Sequence, residues 1–357
     1  MNEVERITDL NEIYFPNLGW RFHIDPTAFT VFGLDIQWYG LIITFGLLMA
    51  MLYCFPKMRR FGLVADKVFD PVIGGVIGGV LGARIYYVAS KWDEYAGDWK
   101  SIINFRNGGL AIYGGIIGAL AVGLLICKLR KIRILPTLDI ACIGFLIGQG
   151  IGRWGNFTNQ EAFGTNTDSL FAMTGGTIQQ TILRESAFLD GSMYQSGIEI
   201  SEKYAVHPCF LYESIWCLLG VLVLSLFIKH RKFDGQLFLM YLVWYGAERF
   251  VVEGLRTDSL MAGNIRISQA LSAVLVITGT ILLIVMFSKV RRDPEKYVLY
   301  CNTEESKQQL AEADEQMTRS KSTNNGSENT ADKSSDEDQT ENKTNINQEE
   351  SENGTDN

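Results

Sequence analysis

Seven apolar stretches, each near the length a helix needs to cross a bilayer, constrain this chain more than any other feature. They run roughly over 38–55, 69–89, 109–127, 137–153, 208–228, 236–255 and 268–288. A hydrocarbon core of ~30 Å takes ~20 apolar residues per helix. The expected fold is therefore all-α and membrane-integral, with about seven transmembrane helices. The fourth stretch is short and ends at Arg153, and the sixth carries charges in its last two turns. Residues 1–37 are polar and aromatic and lack the apolar core of a cleavable signal peptide, so the first stretch is read as a true span.

Composition sharpens this division. The mean hydropathy of +0.08 is low for a polytopic protein because two unlike segments are averaged. Residues 301–357 hold 15 Asp and Glu against 5 Lys and Arg, so with a net −8 for the chain the first 300 residues stand near +2. Such a tail has too little apolar surface to offset the entropy of ordering and is expected to be disordered. Two regions follow, a membrane domain over 1–300 and an acidic tail over 301–357. The six cysteines are scattered, with no CxxC or Cys/His spacing, so neither a metal nor a disulfide framework is expected.

Basic residues set the orientation. Lys57, Arg59, Arg60 and Lys67 follow the first span, and Lys128, Arg130, Lys131 and Arg133 follow the third. Lys229, Arg231 and Lys232 follow the fifth, and Lys289, Arg291 and Arg292 the seventh. The N-terminus is thus expected outside, with the C-terminus and its acidic tail in the cytoplasm. Three exoplasmic elements result: an arm over 1–37, an interfacial segment over 91–107 with Trp92, Trp99 and Phe105, and a head over 160–206. Glycines repeat every four residues in the second, third and fourth spans, for example Gly74/Gly78/Gly82 and Gly114/Gly118, a spacing that lets helix backbones approach in lipid.

Charge within a span is costly, ~2.5–3.5 kcal/mol on insertion scales, and marks function by default. Three clusters near the outer leaflet stand out. The first is Gly152-Arg153-Trp154-Gly155-Asn156-Phe157-Thr158-Asn159-Gln160-Glu161. Its arginine can offer a planar fork to a phosphate, with Asn156 and Asn159 as neutral donors. The second is Tyr245, Arg249, Glu253 and Arg256, which share one helical face, so that Arg249 and Glu253 can pair internally. The third is His207-Pro208-Cys209-Phe210-Leu211-Tyr212-Glu213, whose His and Glu can serve as base and orienting partner or merely join neighbouring helices. Glu248, one residue off the stripe, reads as a structural partner. Two arginines converging from different helices suggest a site for one lipid phosphodiester, and phosphatidylglycerol fits. Binding, flipping and catalysis are not separable at this level.

The run from Gly152 to Glu161 followed by Gly164 resembles the signature of the prolipoprotein diacylglyceryl transferase family. So do His207-Pro-x-x-Leu-Tyr-Glu213, Tyr245-Gly-x-x-Arg249-Phe-x-x-Glu253-x-x-Arg256, Gln37-Trp38-Tyr39-Gly40 and Arg106-x-Gly-Gly-Leu-Ala-Ile-Tyr113-Gly-Gly, in the expected order over roughly residues 25–290. The resemblance implies an enzyme of the bacterial plasma membrane, needing no cofactor and no nucleic acid. It would move the diacylglyceryl group of phosphatidylglycerol to the thiol of a lipobox cysteine on a prolipoprotein and release glycerol 1-phosphate. Arg153 and Arg249 would hold the phosphate and stabilise the leaving oxygen. Asn156, Glu161, Tyr39, Tyr245, Glu253, Arg256 and His207 would line or order the substrate site. Two departures are visible. Tyr113 stands where many members carry histidine, and a phenol with an ordinary pKa of ~10 is a poor base near neutrality, so Tyr113 is read as hydrogen-bonding the substrate. Thr158 replaces a residue that is usually apolar.

A transporter would need a polar path to the cytoplasmic side, whereas the charges are biased outward and the inner halves of the spans are apolar. A scaffold that only binds phosphatidylglycerol would differ from the transferase in lacking turnover.

Overall fold

The computed structural model describes residues 2–104, 108–187, 200–257, 259, 261–263 and 265–319. The chain divides into two units, Met1–Thr303 and Glu304–Asn357.

In the first unit the apolar stretches are helices: α1 (Trp38–Cys54), α2 (Ala65–Ser90), α5 (Ile112–Leu129), α6 (Ile134–Thr158), α8 (Cys209–Phe227), α9 (Gln236–Leu255) and α10 (Ile267–Arg292). Six of these, extended in α1 and α8 by 3-10 turns, are long and apolar enough to cross a membrane. Together they make this a multi-pass membrane protein. α9 has 20 residues, but Glu248, Arg249 and Glu253 lower its apolarity. The outer faces of the helices carry exposed Leu52, Ile117, Leu222 and Ile284, the inverse of a water-soluble surface.

The glycine spacing has a direct consequence. α2 and α5 cross where a methyl group on Gly118 would run into the carbonyl oxygen of Gly78, and one on Gly78 would lie 2.7 Å from that of Gly118. Only glycine permits this approach, which replaces hydrophobic sorting as the packing force in lipid. α6 lies at the centre, packed against α1, α8 and α9. Its inward face carries Ile140, Ile143, Leu146 and Ile147, all buried.

Several expectations need correction. α6 does not stop at Arg153 but continues to Thr158, because Phe157 packs among Phe15, Phe22 and Phe210 and makes the extra turn worth forming. The 1–37 arm, for which no secondary structure was expected, contains β-strands. Its Glu12-Ile13-Tyr14-Phe15 alternation forms strand β1 (Glu12–Phe15) with Ile13 and Phe15 buried, paired antiparallel to β2 (Trp20–His23) and to β5 (Thr174–Gly175) of the head. Arm and head thus share one sheet and one core, in which Ile13 and Phe15 meet Met173, Ile178, Ile182 and Val206. A hairpin of β3 (Thr27–Val31) and β4 (Leu34–Gln37) runs directly into α1. The head also contains α7 (Gly176–Ala187), and β6 (Met261–Ala262) pairs with β7 (Ile265–Arg266) between α9 and α10. The interfacial segment forms two short helices, α3 (Trp92–Tyr95) and α4 (Trp99–Ile103), while Phe105 and Arg106 lie outside the described residues.

In the second unit residues 304–319 are helical, contrary to the expectation of disorder from residue 301 onward. This stretch is rich in Ala, Glu and Gln, good helix formers, and Glu304 and Lys307 pair at 2.8 Å. Residues 320–357, on which the rest of that expectation falls, lie outside the described residues.

Candidate active site

Arg153 lies on α6 and Arg249 on α9, whereas Arg256, expected on the same helical face, is the extended residue just past the end of α9; a shared carboxylate joins all three. Glu213, in the second turn of α8, is 1% exposed. Its Oε2 pairs with Arg153 Nε from α6. Its Oε1 accepts from Arg249 Nη1 at 3.2 Å and lies 4.0 Å from Arg256 Nη1. The i, i+4 pair anticipated on α9 is present, with Arg249 Nη2 2.5 Å from Glu253 Oε2. Glu253 is itself 1% exposed. Its carbonyl oxygen accepts from Arg266 Nη1 and, at 3.4 Å, from Ser259 Oγ, which ties the loop after α9 to the cluster.

The burial is unequal in a way that matters. The side chains of Arg153, Arg249 and Arg256 remain 23%, 17% and 13% exposed, while those of Glu213 and Glu253 are 2% and 1%. The carboxylates form the floor and the guanidinium edges form the open face. A ligand reaching the site meets cations first. A buried carboxylate is tolerable only when paired and hydrogen-bonded, and here that requirement fixes the guanidinium groups of three arginines in place before any ligand arrives.

The rim follows from the turn at the end of α6. Arg153 Nη1 donates to Asn156 Oδ1 at 3.3 Å, and Asn156 Nδ2 donates to Glu161 Oε1 at 2.9 Å. Asn159 Nδ2 donates to the same Glu161 oxygen at 3.3 Å. Glu161 is flanked by Gln160 and Ala162, both in the left-handed region at φ 52° and 57°. Such residues cost energy and persist only where their surroundings hold them. The holding is done by the buried Gln160 side chain, which donates to Leu10 O at 2.6 Å and accepts from Thr177 N at 3.2 Å. The head domain thereby aims Glu161 back at Asn156.

Tyr39, in the first turn of α1, packs against Gly155, where a Cβ would come within 2.5 Å of the ring. Tyr245 sits one turn before Arg249 and stacks on Tyr241 with 5.8 Å between centroids. Beside Arg153, Trp154 Nε1 donates to Ser214 Oγ at 3.2 Å, and Ser214 Oγ donates to Gly150 O at 2.8 Å. Trp154, Leu41, Phe45, Ile151 and Leu218 line a largely apolar cavity of about 510 Å3 between α1, α6 and α8.

His207 does not pair with Glu213. Its Nδ1 meets the Tyr212 hydroxyl at 3.2 Å, which in turn lies 3.4 Å from Ser169 Oγ. Burial lowers the imidazole pKa below its ordinary value, favouring the neutral ring. The residue stands at the rim, because Gly164 N donates to His207 O at 2.9 Å and Gly164 bridges Arg256. Tyr113 lies in the first turn of α5, half-buried, and makes no hydrogen bond to the arginine cluster among the described residues. Glu248 is buried at 5% exposure, and its Oε1 has no hydrogen-bond partner among the described residues.

The residue that sequence reasoning undervalued is Glu213. The signal was there in the charge count. Three arginines near one membrane depth need counter-ions, and Glu253 on α9 answers for Arg249 alone.

Over residues 26–285 the chain matches the family model described as prolipoprotein diacylglyceryl transferase. The chain belongs to that family. Curated relatives carry the name phosphatidylglycerol–prolipoprotein diacylglyceryl transferase. The protein of Clostridium novyi (strain NT) is 38% identical over 261 residues, covering 73% of this chain and 95% of the relative. That of Finegoldia magna is 39% identical over 274 residues, covering 76% and 100%, and that of Bacillus cereus (strain Q1) is 41% identical over 268 residues, covering 75% and 94%. The matched span contains every residue of the arginine cluster and its rim. Residues beyond 285, including the acidic tail, lie outside it.

Proposed function

We propose that this protein is a phosphatidylglycerol–prolipoprotein diacylglyceryl transferase of the bacterial plasma membrane. It would transfer the sn-1,2-diacylglyceryl group of phosphatidylglycerol to the lipobox cysteine of a prolipoprotein, the first step of lipoprotein maturation. The observation that carries the reading is the set of three arginines held on buried carboxylates beside an apolar cavity. A monoanionic phosphodiester with two acyl chains asks for that combination.

In this reading the lipid phosphate takes up the open guanidinium edges of Arg153 and Arg249, with Arg256 behind them. The apolar cavity receives acyl chain. The cysteine sulfur attacks the glyceryl carbon that bears the phosphate oxygen, a C–S bond forms, and that C–O bond breaks. The electron pair stays on the phosphate oxygen of the departing glycerol 1-phosphate, where the arginines stabilise the growing charge. Preorganised donors at a developing oxyanion are typically worth ~2.7–4 kcal/mol each in a water-poor site. The thiol gives its proton to His207 or Glu253, and the resulting thiolate is the nucleophile. Asn156 and Glu161 order Arg153, Glu253 orders Arg249, and Tyr39 and Tyr245 flank the head group. Tyr113 contributes a hydrogen bond toward the substrates rather than acting as a base.

The reading includes α9 as a seventh span, its charges tolerated because they pair inside the bundle. It places the N-terminus outside and the C-terminus in the cytoplasm, following the basic flanks. The acidic tail takes no part in transfer. Alanine at Arg153 or Arg249 should abolish lipidation of a lipobox peptide while the protein still inserts. Full activity in both variants would remove the mechanism.

A further inference from the structure

Arg84 is a charged residue inside α2 and is 4% exposed. It takes no part in the chemistry above. Its donors reach backbone carbonyls in two segments: Nη2 to Ser101 O at 2.6 Å and Nε to Ile102 O at 3.0 Å, then Nη1 to Gly108 O at 2.8 Å and Gly109 O at 2.9 Å. The first pair closes the end of α4, a helix capped by Asp98. The second pair belongs to the turn that feeds α5.

That turn is built for the contact. Gly108 and Gly109 have φ of +76° and +79°, a region that disfavours residues with a Cβ. A Cβ at Gly109 would lie 2.5 Å from Arg84 Nη1 and 2.6 Å from the Tyr87 ring. Next to Arg84, Ala83 O accepts Ala111 N at 3.0 Å, one residue before α5 begins. The rings of Tyr95 and Tyr87 lie 5.2 Å and 5.9 Å from the guanidinium carbon. One side chain therefore clamps both ends of the exoplasmic connection between α2 and α5.

Only three residues separate the clamped Gly109 from Tyr113. Tyr113 itself has no hydrogen bond to hold it among the described residues, so its place is set by where α5 starts. We propose that Arg84 is a positioning residue for the transfer reaction, fixing the start of α5 and with it the Tyr113 hydroxyl. The proposal rests on the reading of Tyr113 as a substrate-binding group. A lysine cannot replace the clamp, because a single ammonium lacks the planar fork that reaches both segments.

The test measures diacylglyceryl transfer from phosphatidylglycerol to a lipobox peptide by four full-length proteins: parent, Arg84→Lys, Tyr113→Phe and the double variant. Arg84→Lys is expected to lower kcat at least about tenfold, with KM for the lipid within about twofold of the parent. In the Tyr113→Phe background the same change should cost less than about twofold, because the group it positions is gone. Fully multiplicative losses would overturn the proposal in favour of general destabilisation. So would an Arg84→Lys protein with parental turnover. If Tyr113→Phe alone is silent while Arg153→Ala is inactive, the positioning idea fails and the transferase reading stands. Should Arg84→Lys not fold, Gly109→Ala presses on the same guanidinium from the other side and must show the same non-additive loss.

Discussion

Replacing Glu213 with glutamine probes the floor of the site without changing its shape. In the parent, one oxygen faces Arg153 Nε and the other accepts from Arg249 Nη1 at 3.2 Å. Glutamine keeps one acceptor and turns the other into an NH2 that confronts a guanidinium donor to donor. The loss has two parts. A charge-assisted hydrogen bond contributes ~1.5–3 kcal/mol, and removing one partner from a buried pair typically costs ~3–5 kcal/mol because a charge is left uncompensated. The arginines keep 23% and 17% of their side chains exposed, so water and the lipid phosphate recover some of this. Taking the lower end of the second range, about 3 kcal/mol of misplaced transition-state stabilisation corresponds to a drop of ~10²-fold in kcat/KM. The assay is the initial rate of peptide lipidation by purified protein at several lipid concentrations, with elution volume as the check on folding. A Glu213→Gln protein that folds and works within about twofold of the parent would refute the argument that this carboxylate holds the arginines in place.

Two further outcomes follow from other parts of the fold. Gly118→Ala drives a methyl group into the carbonyl oxygen of Gly78, so overpacking of about 1–3 kcal/mol should lower the melting temperature in detergent; an unchanged melting temperature would contradict the close α2–α5 crossing. His207 has its pKa lowered by burial, so just below the ordinary value of 6.5 the unfolded chain binds more protons than the folded one, and stability rises with pH there. Thermal unfolding of His207→Asn should accordingly vary less between about pH 7.5 and about pH 5.5 than that of the parent; equal variation would show that this imidazole is not part of the pH response.

Much of the membrane part was legible because the bilayer allows so few solutions. The helices at Trp38–Cys54, Gln236–Leu255 and Ile267–Arg292 fall within a few residues of the apolar stretches. The one large boundary error came from treating Arg153 as a stop. Hydropathy fades there, but Phe157 carries the helix on into an aromatic cluster that no local window contains. The arm was expected only as a surface element, with no secondary structure assigned to it. Its alternating Glu12-Ile13-Tyr14-Phe15 has the period of a strand and a local partner in β2, but the pairing with β5 that joins arm to head lies some 160 residues away and is not contained in any local window. Among the site residues, spacing alone gave the Arg249–Glu253 pair, which needs one helix. The Glu213 junction needs three helices to meet, and pairwise geometry across α6, α8 and α9 is not written in any single stretch.

The most direct test of the central claim is mass spectrometry of a synthetic lipobox peptide after incubation with the purified protein and phosphatidylglycerol. The account predicts a peptide heavier by one diacylglyceryl group, with no such species when its cysteine is replaced by serine. An unmodified cysteine peptide, from folded protein that still binds the lipid, would contradict it.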